Sequence, residues 1–281
     1  MAKYHHILVA VDGSESSLHA LKEAFKLTAS WITVVAVAPP YEGDLSLVGA
    51  SHMEKLIREP CATALTAAQD LGAAAGAVIN TVCEVGEPYE RIVARAETAL
   101  CDLIVMGAKG RSFLERLMVG SVSRRVIGYT DKDVLVVPLG ASVGWEKILV
   151  ATDGSVDSLA AAARALDLAQ AYGSKLTVLS VVDFPTRLSG QSQKLVDGLH
   201  QAHRKLVVDV TKPALAAQVQ AEGIVREGKP YQVIADTARD QKANLIVMGS
   251  HGRTGLKRLL MGSVTERVIG HAPCAVLVVK G

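Results

Sequence analysis

The sequence predicts an α/β fold: two tandem units, each a five-stranded parallel sheet sandwiched between helices. Three observations carry that prediction. The first is an internal repeat. Tyr4 to Ser14 (YHHILVAVDGS) returns as Trp145 to Ser155 (WEKILVATDGS), and the halves align with offsets of 141 residues at Asp12/Asp153 and 142 at Gly107/Gly249. The second is the alternation, in each half, of short β-branched apolar runs with helical patterns, which implies βα units and a parallel sheet covered on both faces. The third is a glycine-punctuated stretch, Val105 to Ser123, repeated as Val247 to Thr265, that follows an apolar run and leads into a helical pattern both times.

In the first half, Ile7 to Val11 reads as a buried strand. Asp12 to Ser17 supplies candidate N-cap residues, and a helical pattern follows through Leu18, Leu21, Ala24, Phe25 and Leu27. Ile32 to Val37 is the second strand, stopped by Pro39 and Pro40; residues 41–51 read as a loop and Met53 to Gly72 as a helix. Val78 to Val85 is the third strand. Gly86-Glu-Pro88 then opens a helix with proline in its first turn, where a missing N–H costs nothing, and that helix runs toward Leu100. The fourth strand ends at Met106, a helix starts near Ser121, and Val134 to Val137 is the fifth strand, closed by Pro138. The second half repeats the scheme, with strands near 148–152, 175–182, 218–226, 245–248 and 275–279 and with Pro230 opening the helix before the fourth strand. The linker Leu139 to Gly144 is short, which sets domains at 1–139 and 144–281 and suggests two units packed together.

With 281 residues the chain has room for two domains of ordinary size. Apolar residues make up 49% and charged residues 21%, a globular rather than a disordered composition. Aromatics are 4%, so the core must be built from Ala, Val, Leu and Ile, and few rings remain to stack on bases. A net charge of +2 advertises neither nucleic acid nor a membrane surface as partner. Cys61, Cys83, Cys101 and Cys274 lack Cys-x-x-Cys spacing and read as reduced core thiols. The start of the chain shows no signal-peptide segment, and no apolar run approaches the ~20 residues of a membrane span, so the expected location is cytoplasmic.

A strand, a glycine-rich loop and a helix N-terminus together make a place for an anion. Glycines let backbone N–H groups approach the ligand, and the helix start adds unpaired donors and a positive dipole end. Ser and Thr hydroxyls offer further donors. In an open parallel sheet such a site lies beyond the C-terminal strand ends, where the strand order reverses. Asp12 and Asp153 follow strand one, and the glycine loops follow strand four. If those strands are neighbours, a carboxylate meets ribose hydroxyls or a divalent cation while the loop holds phosphates, which favours a nucleotide over a bare anion. Neither Gly-x-Gly-x-x-Gly after strand one nor a P-loop is present.

These paired motifs resemble the universal stress proteins in their tandem two-domain form, over essentially the whole chain, twice. The family's ATP-binding signature is a glycine, two residues, a glycine, nine residues, then glycine with Ser or Thr. It matches Gly107, Gly110, Gly120-Ser121 and Gly249, Gly252, Gly262-Ser263. The resemblance implies an adenine nucleotide α-hydrolase-like, Rossmann-like sandwich that binds ATP or AMP, with Mg2+ reaching Asp12 and Asp153 through the nucleotide. It implies Val37 and Val181 along the adenine. It places Ser121, Val122, Ser123 and Ser263, Val264, Thr265 at phosphate, with Thr152 and Arg253 added to the second site. It also implies an intramolecular pseudo-dimer, since the family dimerises through its last strand, and leaves a further homodimer open. Phe113 stands where the second copy has Gly255, Val11 where it has Thr152, and Tyr129 to Asp133 where it has His271 to Cys274, so the second site is expected to be the more intact.

The expected function is an adenine-nucleotide-binding stress-response or regulatory protein, at most a slow ATPase. The alternatives are an adenylating or ATP-hydrolysing enzyme, or a carrier of an apolar ligand between the halves. Asp153 to Ser158 only loosely matches the pyrophosphate loop of adenylating ligases, and no Gly-x-Ser-x-Gly elbow or paired carboxylates appear. Lys109 and His251 lie inside the loops, and Arg111, Arg116, Arg253 and Arg258 flank them, either steering polyphosphate or facing solvent. His200 and His203, spaced i, i+3, offer two metal ligands, but with no third in sight they read as an ordinary exposed pair.

Overall fold

The apolar runs form strands and the amphipathic stretches form helices in strict alternation. The computed structural model describes residues 4–27, 31–40, 50–108, 119–183, 193–252 and 261–281. The chain divides into two units, Ala2–Gly140 and Ala141–Gly281. In the first, β1 (His6–Ala10), α1 (Glu15–Ala24), β2 (Trp31–Ala38), α2 (Ala50–Ala75), β3 (Asn80–Val85), α3 (Pro88–Thr98), β4 (Leu103–Gly107), α4 (Ser121–Tyr129) and β5 (Asp133–Val137) follow in order. In the second, the series is β6 (Lys147–Ala151), α5 (Val156–Tyr172), β7 (Lys175–Val182), α6 (Gln193–Ala216), β8 (Ala221–Glu227), α7 (Pro230–Asp240), β9 (Leu245–Gly249), α8 (Ser263–His271) and β10 (Ala275–Val279).

Every strand pairing within a unit is parallel, in the order β3-β2-β1-β4-β5 in the first and β8-β7-β6-β9-β10 in the second. β4 and β9 are buried at every position, as expected of continuous Leu/Ile/Val runs with helices on both faces. Ile7, Leu8, Leu103 and Ile104 in one unit and Ile148, Leu149, Leu176 and Leu179 in the other are fully buried side chains. One side chain in each unit fixes the central register. The Asp102 carboxylate, just before β4, accepts from the backbone N–H groups of His5 (2.7 Å) and His6 (3.2 Å), and Asn244 Oδ1 accepts from Lys147 N–H (3.0 Å).

Two strand starts differ from expectation by more than one residue. β3 begins at Asn80, not Val78, which is 94% exposed, and β8 begins at Ala221, because Gln218 adopts φ +59° to close the preceding helix. Helices α2 and α6 carry Pro60 and Pro213 in their interiors, each forgoing one helical hydrogen bond.

Candidate functional site

The strand order fixes where the switch points lie. β1 pairs with β4 and β6 with β9, while β2 and β7 lie on the far side of β1 and β6, so the order reverses at those central pairs. The loops leaving the C-terminal ends of a central pair diverge there and leave a crevice. The Asp12 and Asp153 loops and the two glycine loops all leave from these ends, so the neighbour relation expected from the sequence holds in both units.

After β1 the chain turns sharply through Gly13 at φ +77°, and after β6 through Gly154 at φ +81°, a conformation that favours glycine. Asp12 Oδ1 accepts from Ser14 N–H and Asp153 Oδ1 from Ser155 N–H, both at 2.9 Å. Neither aspartate caps the following helix. That work falls to Ser14 and Ser155, whose hydroxyls accept from Ser17 N–H (3.2 Å) and Ser158 N–H (3.3 Å). Asp12 instead lines the crevice of the first unit. A Cβ added to Gly252 would stand 2.7 Å from Asp153 Oδ2, so in the second unit the carboxylate touches the glycine loop itself.

Helices α4 and α8 begin at Gly120 and Gly262, residues with no side chain to cap them, and no side-chain cap is formed. The first helical bonds run from Arg124 N–H to Gly120 O and from Glu266 N–H to Gly262 O, both 3.0 Å. The N–H groups of Ser121, Val122 and Ser123, and of Ser263, Val264 and Thr265, therefore have no acceptor within the helix and point out of its positive end. The third hydroxyl of each set turns inward: Ser123 Oγ donates to Gly107 O (3.2 Å) and Thr265 Oγ1 to Gly249 O (3.0 Å), both side chains being buried. Those two residues present backbone N–H, not hydroxyl hydrogen, to a ligand.

The first glycine of each motif answers a packing demand. A Cβ on Gly107 would lie 2.6 Å from Ser16 Oγ and 2.8 Å from Ser16 O, and one on Gly249 would lie 2.6 Å from the Asp157 carbonyl carbon. Glycine there lets the first turn of α1 or α5 rest on the end of the fourth strand. Gly262 does face the loop: its N–H donates to Ser250 O (2.9 Å), and a Cβ would meet His251 Cα at 3.3 Å.

In the first unit these elements enclose a cavity of about 320 Å³. Asp12, Val37, Gly107, Gly120, Ser121, Val122 and Ser123 all line it, joined by residues the sequence did not single out, among them Ala10, Pro88, Ile92 and Met106. Asp12 is the one ionisable group among its described lining residues. The recurrence of Pro88 as Pro230, read from sequence as a helix start, was the available signal for the wall contributed by α3. In the second unit Thr152 is buried, its hydroxyl 3.1 Å from Ser158 Oγ and accepting from Gly154 N–H, so it braces the Asp153 turn. Val181 is half-buried at the end of β7. Gly110 and Arg253 lie outside the described residues, as do Lys109, Arg111, Phe113, Arg116, Gly255 and Arg258.

The two helical histidines do not form a metal pair. His200 Nε2 meets Glu227 Oε1 at 2.8 Å, and His203 Nδ1 meets the buried Ser180 hydroxyl at 2.9 Å; that hydroxyl donates to Thr152 O at 2.7 Å. Among the described residues no cluster of three His, Cys, Asp or Glu side chains could hold a metal by itself. An Mg2+ ion would need ligand phosphates beside Asp12 or Asp153, which is the way this hard, strongly hydrated cation is usually held. The groups present, backbone N–H donors at a helix start, a carboxylate acceptor and apolar strand-end walls, fit a phosphorylated ligand with an apolar body. The cavity lies at the small end of the roughly 300–1,000 Å³ typical of ligand pockets.

Fold and site thus define a tandem pair of doubly wound parallel α/β units, each with an uncapped helix start at its switch point. The chain belongs to the universal stress protein family, whose model matches residues 3–138 and again 144–280. A universal stress protein of Methanocaldococcus jannaschii is 38% identical over 140 residues, 48% of this chain and 82% of that protein. The Bacillus subtilis universal stress protein YxiE is 32% identical over 147 residues, 48% of this chain and 99% of its own. A crystal structure of a universal stress protein from Archaeoglobus fulgidus superposes with a TM-score of 0.73 at 22% identity, covering 98% of this chain and 96% of that one, and so shares the two-unit fold. Among the described residues no helix is long and apolar enough to cross a membrane.

Proposed function

We propose that this protein binds an adenine nucleotide, ATP or AMP, in the strand-end crevice of each half, and that it serves as a cytoplasmic nucleotide-responsive regulator in the stress response, with hydrolysis slow at most. One observation carries the reading: in each unit the carboxylate after the first strand and the uncapped N–H groups of the helix after the glycine loop leave from the same switch point, and in the first unit they line one cavity with Val37. The helix start takes phosphate, the carboxylate takes ribose hydroxyls or a phosphate-bound Mg2+, and the apolar strand ends take the base. Among its described lining residues the first cavity has one ionisable group, Asp12, placed to receive ribose hydroxyls or a phosphate-bound cation.

Mass spectrometry of small molecules that copurify with the protein, with calorimetric titration of ATP and AMP, tests this. Wild type should take up one or two nucleotides per chain. Gly262→Asp, which sets a carboxylate at the second cradle, should lose one of them through charge repulsion. No copurifying adenine nucleotide together with no titration overturns the reading.

A further inference from the structure

The two cradles differ in how their loops are held. In the second unit Asp157, in the first turn of α5, reaches the loop leaving β9. Its Oδ2 accepts from Ser250 Oγ (2.9 Å) and from the backbone N–H of His251 (3.1 Å), and lies 3.6 Å from His251 Nδ1. Ser250 is 2% exposed, and its hydroxyl lies between the Asp157 carboxylate and His251 Nδ1, 3.1 Å away. Gly249 makes the approach feasible, because any side chain there would strike Asp157. The repeat puts Ser16 where Asp157 stands and Ala108 where Ser250 stands. Ser16 occupies the same place against Gly107, but it brings no carboxylate, and the Ala108 methyl offers no hydrogen to donate.

We propose that Asp157 is a positioning residue for the second cradle: its carboxylate clamps residues 250–251 so that the loop stands ready before a phosphorylated ligand arrives. The proposal rests on the nucleotide reading and adds that the two halves are unequal by construction, the second carrying a carboxylate clamp that Ser16 and Ala108 do not supply in the first. Two hydrogen bonds to the Asp157 carboxylate, one from the Ser250 hydroxyl and one from the His251 backbone N–H, tie the loop to α5, and Gly252, next in the chain, lies against Asp153. A loop fixed beforehand does not lose its freedom again on binding, which favours affinity without any added ligand contact.

The test exchanges the two residue pairs in the full chain. Asp157→Ser with Ser250→Ala gives the second half the first half's pair, and Ser16→Asp with Ala108→Ser does the reverse. Each site is titrated with ATP alone by blocking the other with Gly120→Asp or Gly262→Asp. The first exchange should weaken the second site about tenfold, the scale of one or two charge-assisted hydrogen bonds, and the reverse exchange should tighten the first site by a similar factor. A gain of that kind is not expected of a residue that merely supports the fold. In ligand-free protein, amide hydrogen exchange over residues 250–252 should quicken in the first exchange. Unchanged exchange there, or unchanged affinity at both sites, overturns the proposal. If wild type binds no nucleotide, the proposed function fails separately, and titration with inorganic triphosphate takes its place. Triphosphate binding that is absent, or equal in wild type and variant, then overturns the clamp.

Discussion

Gly249→Ala separates the packing role of the first motif glycine from ligand binding. Its Cβ would stand 2.6 Å from the Asp157 carbonyl carbon, 2.7 Å from Asp157 Cβ and 2.8 Å from the Asp157 carbonyl oxygen. Carbon atoms in comfortable contact sit about 3.5–4.0 Å apart, so close to 1 Å of overlap must be relieved. Two of the three atoms struck are backbone, so no rotamer change provides relief and the first turn of α5 must shift. Overpacking of this kind costs about 1–3 kcal/mol, and a backbone clash belongs near 3 kcal/mol. For a unit of this size that is roughly a 6–12 °C fall in Tm. Gly252→Ala is the control. Among the described residues its Cβ would meet only Asp153 Oδ2 closely, at 2.7 Å, and a carboxylate can rotate away, so the cost should stay below about 1 kcal/mol. That rotation carries Asp153 off the cradle, so Gly252→Ala should weaken nucleotide binding while sparing stability. Urea unfolding followed by circular dichroism, with calorimetric titration of both variants, reads the two effects. Gly249→Ala as stable as wild type, or Gly252→Ala equally destabilised, would refute the packing assignment.

Two further expectations concern titratable groups away from the crevice. Burial pushes the Cys61 and Cys274 thiols up to about 12 and Cys101 up to about 11, so near pH 8 all three stay protonated and shielded; a thiol reagent should label them only as the protein unfolds, and rapid labelling of native Cys274 would contradict this. Glu222 is held below its usual 4.5, first by a hydrogen bond from Lys175, whose Nζ lies 3.1 Å away, and further by Thr177 and Gln241, with partial burial opposing. A depressed carboxylate pKa contributes stability above 4.5 that is lost as pH falls through the lower folded value, so Lys175→Met should flatten the pH dependence of stability below about pH 4.5; an unaltered acid profile would remove Lys175 as the cause.

Much of the architecture was legible because the code for it is local and stated twice. Runs such as Leu245 to Met248 lack helical periodicity and are bounded by turn residues, and Pro88 and Pro230 mark helix starts wherever they occur. Boundaries were harder to read. Val78 has the composition of a strand residue, yet pairing of β3 with β2 begins at Thr33 opposite Asn80, and strand ends are set by available partners. Asp12 and Ser14 are equally plausible caps on paper, and geometry assigned the cap to Ser14 and an Asx turn to Asp12. The inward hydroxyls of Ser123 and Thr265 were equally hidden, since their acceptors, Gly107 O and Gly249 O, are 16 residues away.

By itself, then, the sequence determined the two-fold repeat, the alternation of strands and helices, and the presence of a glycine loop feeding a helix start in each half, because hydrophobic period, proline and glycine act within a few residues of themselves. Tertiary structure decided which donors face the crevice, why Gly107 and Gly249 must lack side chains, and that Asp157 reaches across 93 residues to Ser250. Those outcomes depend on how closely one helix start approaches one strand end, a distance set by packing between segments far apart in the chain.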